Sequence, residues 1–169
     1  NEIGKMPAIL EGFIAFDTEV SVIAARGWDG AMAVYDVTEN RHENHILRRS
    51  TVPARISPAL AEEARGIAAK IIAALDYVGV TGIEMFASGN RLLVNELAPR
   101  VHNSGHWTTD ACAVSQFEQH VRAVCGWPLG STQRHSDVIM TNLLGEEAGD
   151  WERLAAEPGT ALHLYGKRV

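Results

Sequence analysis

The chain has 169 residues, 46% of them apolar, and a formal net charge of −6. That is enough apolar material for a buried core and too acidic a balance for a nucleic-acid footprint, which needs clustered Lys and Arg rather than the short pairs Arg48-Arg49 and Lys167-Arg168. No apolar run approaches the roughly 18 residues of a membrane span, and the start lacks a signal-peptide pattern, so composition points to a cytosolic chain without a membrane partner.

Both ends read as interruptions, since Asn1 is no initiator methionine and the chain stops after a strand-like segment. The expectation is a piece of a longer protein. Residues 8–14 and 19–25 have strand character, with Phe16-Asp-Thr18 between them. Each carries a lone acid, Glu11 and Glu19, of a kind that is ordinarily solvated. Arg26-Gly-Trp-Asp-Gly30 is a turn by composition. Residues 31–37 and 45–51 alternate as further antiparallel strands, which leaves His42 and His45 as exposed turn histidines.

Ser57 and Pro58 then open a helix as N-cap and first helical residue. Leu60, Ala64, Ile67, Ile71 and Leu75 give it an apolar stripe, and the helix is expected to end before Gly79. Residues 80–87 and 91–97 form two strands joined by Ser88-Gly-Asn90, a hairpin-like composition. In a hairpin symmetric about Asn90, Glu84 and Glu96 face each other. Two carboxylates about 5 Å apart repel by roughly 3 kcal/mol at an effective dielectric near 20, and like charges directly opposite each other destabilise a sheet. A divalent cation offsets that repulsion, and two hard oxygen donors with open positions suit Mg²⁺ shared with substrate phosphates. A slipped register, or one carboxyl kept protonated without metal, remains open at this stage.

The segment from Val94 to His106 packs Asn95, Glu96, Arg100, His102, Asn103, Ser104 and His106 just beyond a strand, and Pro99 and Gly105 forbid a continuous helix through it. This is a usual position for a site on a rigid scaffold. A helix follows from residue 109 or 110 to about Cys125, with Ala113, Phe117, Val121 and Val124 as its apolar face and Gln116 and Gln119 on a polar one. Cys112 and Cys125 on that helix stand roughly 20 Å apart at about 1.5 Å per residue, beyond disulfide reach, and read as structural thiols. Residues 131–137 are a polar linker. Strands at 138–144 and 161–165 and a short helix at 150–156 complete a small β-rich unit.

Several of these runs together carry a resemblance: Glu11-Gly-Phe-Ile, Glu19-Val-Ser, Gly82-Ile-Glu-Met-Phe86, the loop from Asn95 to His106, and Ser115-Gln-Phe-Glu-Gln-His-Val-Arg-Ala123. The chain resembles the C-terminal half of the N5-carboxyaminoimidazole ribonucleotide synthases, ATP-grasp enzymes of purine biosynthesis. The loop is specific to them, whereas the acids fit almost any ATP-grasp protein. The resemblance implies an α+β fold, with an ATP-grasp large lobe over residues 1–130, an antiparallel sheet with packed helices, and the start of a small β-rich C-terminal domain over 131–169. It implies ATP- and bicarbonate-dependent carboxylation of 5-aminoimidazole ribonucleotide through carboxyphosphate, with ATP and Mg²⁺ bound, in a homodimer. It assigns Glu11 and Phe13 to the adenine-contacting hinge and Glu19 to the ribose hydroxyls. Glu84 and Glu96 fall on the Mg²⁺ acids, with Asn95 beside them. Arg100 falls on stabilisation of carboxyphosphate, His102, Asn103 and Ser104 on the imidazole ribonucleotide pocket, and Lys167 near the nucleotide's phosphate. Two other readings are weighed beside it: another ATP-grasp ligase, such as the formate-dependent glycinamide ribonucleotide transformylase, and a non-catalytic nucleotide-binding fragment.

Overall fold

The computed structural model describes residues 7–166. Its centre is β1 (Thr18–Arg26), a strand buried along most of its length on both faces, as a near-continuous apolar run allows. β2 (Met32–Val34), β3 (Thr38–Glu43) and β4 (Ile46–Val52) follow, then α1 (Pro58–Ala74) and the hairpin of β5 (Gly79–Ser88) and β6 (Arg91–Ala98). Beyond the hairpin lie α2 (Thr108–Ala111), α3 (Gln116–Val124), β7 (Val138–Thr141) and α4 (Trp151–Ala155). The strands make one antiparallel 7-stranded sheet in the order β6-β5-β1-β3-β4-β7, with β2 alongside the end of β1.

Two cores lie on opposite faces of this sheet. On one, Val20, Val22, Ala24, Ile83 and Met85 pack against Ala64, Ala68 and Ile72 of α1. Each fully buried large aliphatic side chain there contributes about 1.5–3 kcal/mol. On the other, Ile23, Ala25 and Val80 pack with Tyr35, Trp107, Ala111 and Cys112. Trp107 meets Tyr35 edge to face at 6.2 Å, and its indole donates to Thr38 Oγ1 at 3.0 Å. α1 starts where expected, with Ser57 Oγ accepting from the Leu60 N–H at 3.2 Å. Ser57→Ala is expected to cost about 1 kcal/mol of stability in urea denaturation. Leu75 leaves the expected stripe: it is the exposed C-cap, and Ala68 and Ile72 are buried in its stead.

Several expectations are corrected. Residues 8–14 form no strand: nothing among the described residues pairs with them, and an isolated strand has no ladder to hold it. The run at 38–43 is a strand, not a turn. Its alternation is of uncharged against charged residues, with Thr38 and Asn40 buried and Arg41 and Glu43 exposed. The turn is the pair Asn44-His45, both at positive φ of 51° and 64°, the backbone of a tight hairpin that twists with its strands. His42 therefore lies in β3. The helix expected from 109 to Cys125 is two helices, because Ser115 caps a new start at α3. Its burial is also inverted: Gln116, Gln119 and Ala123 are buried, while Phe117, Val121 and Val124 are exposed. Both cysteines are free, Cys112 buried and Cys125 exposed. Residues 161–165 form no strand, and β7 joins the main sheet beside β4. No described helix is long and apolar enough to cross a membrane.

Candidate active site

The β5–β6 hairpin turns through Gly89-Asn90 with Ser88 opposite Arg91. Continued unbroken, that register would set Glu84 against Asn95. A β-bulge intervenes after the Met85–Val94 pair, Asn95 becomes the extra residue, and Glu84 is paired with Glu96. Bulges re-aim side chains in this way beside functional sites. Burial, with the neighbouring Glu96 and Glu19 adding to it, holds the Glu84 carboxyl above the usual glutamate range, against the pull of His42 and Arg100.

The same sheet face carries a third acid. Glu19 Oε2 lies 2.6 Å from His42 Nδ1, across the β1–β3 register that pairs Glu19 with Asn40. β3 and β4 are themselves bulged at this point, between Arg41 and His42. The extra residue, Arg48, forms a bidentate ion pair with Glu147, both contacts at 2.8 Å. That pair and the Leu144 N–H hold Glu147 down to about 2.

The loop after β6 delivers His102 to Glu84, Nε2 standing 3.4 Å from Oε1. Its backbone is held at two points by one side chain: Gln116 Oε1 accepts from the His102 N–H at 3.0 Å, and Gln116 Nε2 donates to the His102 carbonyl at 2.7 Å. Its ring rests on Gly82 of β5, where a Cβ would stand 2.7 Å from His102 Cβ. Gly82→Ala must therefore displace the loop. The expected cost is about 1–3 kcal/mol of stability together with loss of turnover, measured by denaturation and assay of the same preparation. Burial, followed by Arg100, keeps the His102 ring below the ordinary histidine value.

Ser104 lies behind His102, not on the pocket surface, a revision of the sequence expectation. It is fully buried, with its hydroxyl 2.9 Å from His102 Nδ1 and 2.7 Å from Ser21 Oγ. Asn103 is half-buried beside it. Arg100 is exposed, its guanidinium donating to the Val101 carbonyl at 3.0 Å. His106 turns away to stack on Phe117 at 5.3 Å. Glu11 and Phe13 lie on the exposed stretch before β1, Phe13 at 95% exposure, and are not brought to the acids. Lys167 lies outside the described residues.

Among the described residues no three or more His, Cys, Asp or Glu converge as a closed metal cage. The Glu84–Glu96 pair instead fits a hard divalent cation that completes its coordination with substrate oxygens. Residues that sequence reasoning passed over are His42, Ser21, Asn40, Ser50, Gly82 and Gln116. The signal for the strand residues was their period of two, with Ser21 in step with Glu19 and Asn40 in step with His42.

A family model described as "ATP-grasp domain" matches residues 1–117, more than half of the chain. The chain belongs to the ATP-grasp family. Within this ATP-grasp chain, residues 138–169 match a second model, "Phosphoribosylaminoimidazole carboxylase C-terminal domain". The chain is 58% identical over 167 residues to the N5-carboxyaminoimidazole ribonucleotide synthase of Brucella melitensis, covering 98% of itself and 46% of that protein. The crystal structure of the corresponding synthetase from Thermus thermophilus aligns with a TM-score of 0.88 at 48% identity, over 94% of this chain and 44% of that one. The Aspergillus clavatus synthase, solved in complex with ADP and 5-aminoimidazole ribonucleotide, aligns at 0.85 and 33% identity over 89% of this chain and 43% of that one. This ATP-grasp chain thus spans about half the length of the curated relatives it matches.

Proposed function

We propose that this chain supplies one side of the active site of an N5-carboxyaminoimidazole ribonucleotide synthase, which uses ATP and bicarbonate to carboxylate the exocyclic amine of 5-aminoimidazole ribonucleotide. The observation that carries this reading is the juxtaposition of the Glu84–Glu96 pair with His102 at the mouth of a bulged hairpin. It stands in a chain that shares 58% identity with a protein of that name.

In this reaction a bicarbonate oxygen bonds to the γ-phosphorus of ATP and ADP leaves, giving carboxyphosphate. The amine nitrogen then bonds to its carboxyl carbon, the carbon–oxygen bond to phosphate breaks, and the amine loses a proton. Such chemistry needs positioning and charge neutralisation rather than a covalent intermediate on the protein. Glu84 and Glu96 would hold Mg²⁺, which supplies charge neutralisation at the ATP phosphates. Asn95 presents its amide beside them, and Glu19, positioned by His42, receives the ribose hydroxyls. Glu11 and Phe13 contact adenine. Arg100 neutralises charge at carboxyphosphate. His102 and Asn103 line the ribonucleotide pocket, Ser104 holds the His102 ring, and Lys167 approaches the nucleotide's phosphate. Residues 1–130 belong to the ATP-grasp lobe and residues 131–169 begin the C-terminal domain, whose strand β7 extends the sheet of that lobe, in a cytosolic homodimer.

In the protein at its full natural length, ATP hydrolysis is expected to need bicarbonate and to rise when 5-aminoimidazole ribonucleotide is added. Formate in place of bicarbonate is expected to give nothing. Turnover with formate, or no response to the ribonucleotide, contradicts the assignment.

A further inference from the structure

Behind His102 runs a line of buried polar side chains, of which the proposed reaction uses only Ser104. Ser50 Oγ donates to Asn40 Oδ1 at 2.8 Å. Asn40 Nδ2 donates to Ser21 Oγ at 2.8 Å, and Ser21 Oγ donates to Ser104 Oγ at 2.7 Å. Ser104 Oγ ends the line 2.9 Å from His102 Nδ1. Ser50, Ser21 and Ser104 are fully buried and Asn40 is 5% exposed, so the line is shielded from bulk solvent. Polar groups drawn from β4, β3, β1 and the loop are assembled where apolar side chains would pack without desolvation cost.

Such a line has a direction. Each hydroxyl has one proton to give, so a Ser21 that receives from Asn40 must give to Ser104, and a Ser104 that receives from Ser21 must give to His102. Reversing the Asn40 amide would reverse every hydroxyl and require a proton on Nδ1. A backbone donor, which cannot reverse, decides between the two: the Ser104 N–H is aimed at the same Nδ1 at 3.3 Å. Nδ1, with its single in-plane lone pair, is thus an acceptor and carries no proton.

We propose that Ser50, Asn40, Ser21 and Ser104 act as positioning residues that lock His102 in the Nε2–H tautomer, so that it meets Glu84 and the substrate side as a hydrogen-bond donor and not as a proton acceptor. The ring then stabilises the Glu84 carboxylate at Oε1 and leaves its other oxygen free. It also follows that the proton lost by a substrate amine goes to some group other than resting His102. Second-layer partners that fix a histidine's tautomer govern what its far nitrogen does.

Histidine-selective ¹⁵N labelling of the protein at its full natural length tests this by NMR, with a His102→Gln sample identifying the signal. The expected result is a pyridine-type shift for Nδ1 and a pyrrole-type shift with a bound proton for Nε2. A protonated Nδ1, alone or together with Nε2, overturns the proposal. Asn40→Asp, nearly isosteric, accepts from both serines and reverses the line at Ser21. It is expected to move His102 toward the Nδ1–H form and to lower kcat about tenfold. A folded Asn40→Asp protein with an unchanged tautomer also overturns the role of the line, and the wild-type spectrum remains decisive if that variant fails to fold. The spectrum is read without turnover, while the kinetic arm rests on the carboxylation reading, so the two can fail separately.

Discussion

Glu84→Gln is expected to make the metal-free protein more stable and the enzyme inactive. The carboxylate of Glu84 is half-desolvated and faces Glu96 across the hairpin, and removing one of two opposed like charges on a sheet returns about 1 kcal/mol. The sign with pH follows from the direction of its shift. A carboxyl whose value is raised on folding favours the folded state fully below the ordinary glutamate value, and that contribution is lost as pH rises through the raised value. The advantage of the glutamine variant should therefore be present at neutral pH, fade as pH falls through the raised value and be gone below the ordinary glutamate range, as read by urea denaturation without Mg²⁺. Turnover at the full natural length should fall a hundredfold or more, about the loss expected when a group that stabilises transition-state charge is removed. Glu96→Gln should lose the same Mg²⁺-dependent turnover with its fold intact. Stability lost on replacing Glu84, with turnover retained, would remove the acids from the site.

Gln116→Ala is expected to be strongly destabilising, although it lies outside the acids. This side chain is fully buried and satisfies both backbone groups of His102, while the Gln116 backbone N–H donates to Thr108 Oγ1 at 2.9 Å. Truncation removes two hydrogen bonds and leaves the His102 N–H and carbonyl without partners in a site that water enters poorly, a loss of about 3 kcal/mol. Chemical denaturation measures that loss. The loosened loop should also raise the KM for the ribonucleotide and lower kcat about tenfold. A fully active, equally stable variant would mean that Gln116 does not position His102.

The same residue shows where the sequence was opaque. Gln116 and Gln119 sit on the polar side of an amphipathic pattern, and hydrophobicity assigns that side to solvent. They are buried because each amide clasps one backbone residue of a neighbouring loop, Gln116 at His102 and Gln119 at Gly130, the latter with both contacts at 2.8 Å. Only tertiary contact reveals such loop demands. β3 escaped for a related reason: Thr-Glu-Asn-Arg-His-Glu has no apolar residue to alternate, yet its period of two is intact once uncharged and charged residues are contrasted. The acid pair was legible by an argument whose geometry differs from the actual one. A hairpin symmetric about Asn90 pairs Glu84 with Glu96, whereas the real turn is centred between Gly89 and Asn90 and reaches the same pairing through the bulge at Asn95. Strong local signals, the Ser57-Pro58 helix start and the loop from Asn95 to His106, were readable because they depend on neighbours in sequence. The exposed stretch bearing Glu11 and Phe13 was misread as a strand because its residues suit one, and strands form only against a partner.

The central claim is that the seam between the Glu84–Glu96 pair and His102 joins ATP to bicarbonate through carboxyphosphate. Uniformly ¹⁸O-labelled bicarbonate, supplied with unlabelled ATP and 5-aminoimidazole ribonucleotide to the protein at its full natural length, tests it directly. One labelled oxygen per molecule is predicted in the phosphate released, because the attacking bicarbonate oxygen stays with phosphorus when the carbon–oxygen bond breaks. Phosphate that carries no label would contradict the account.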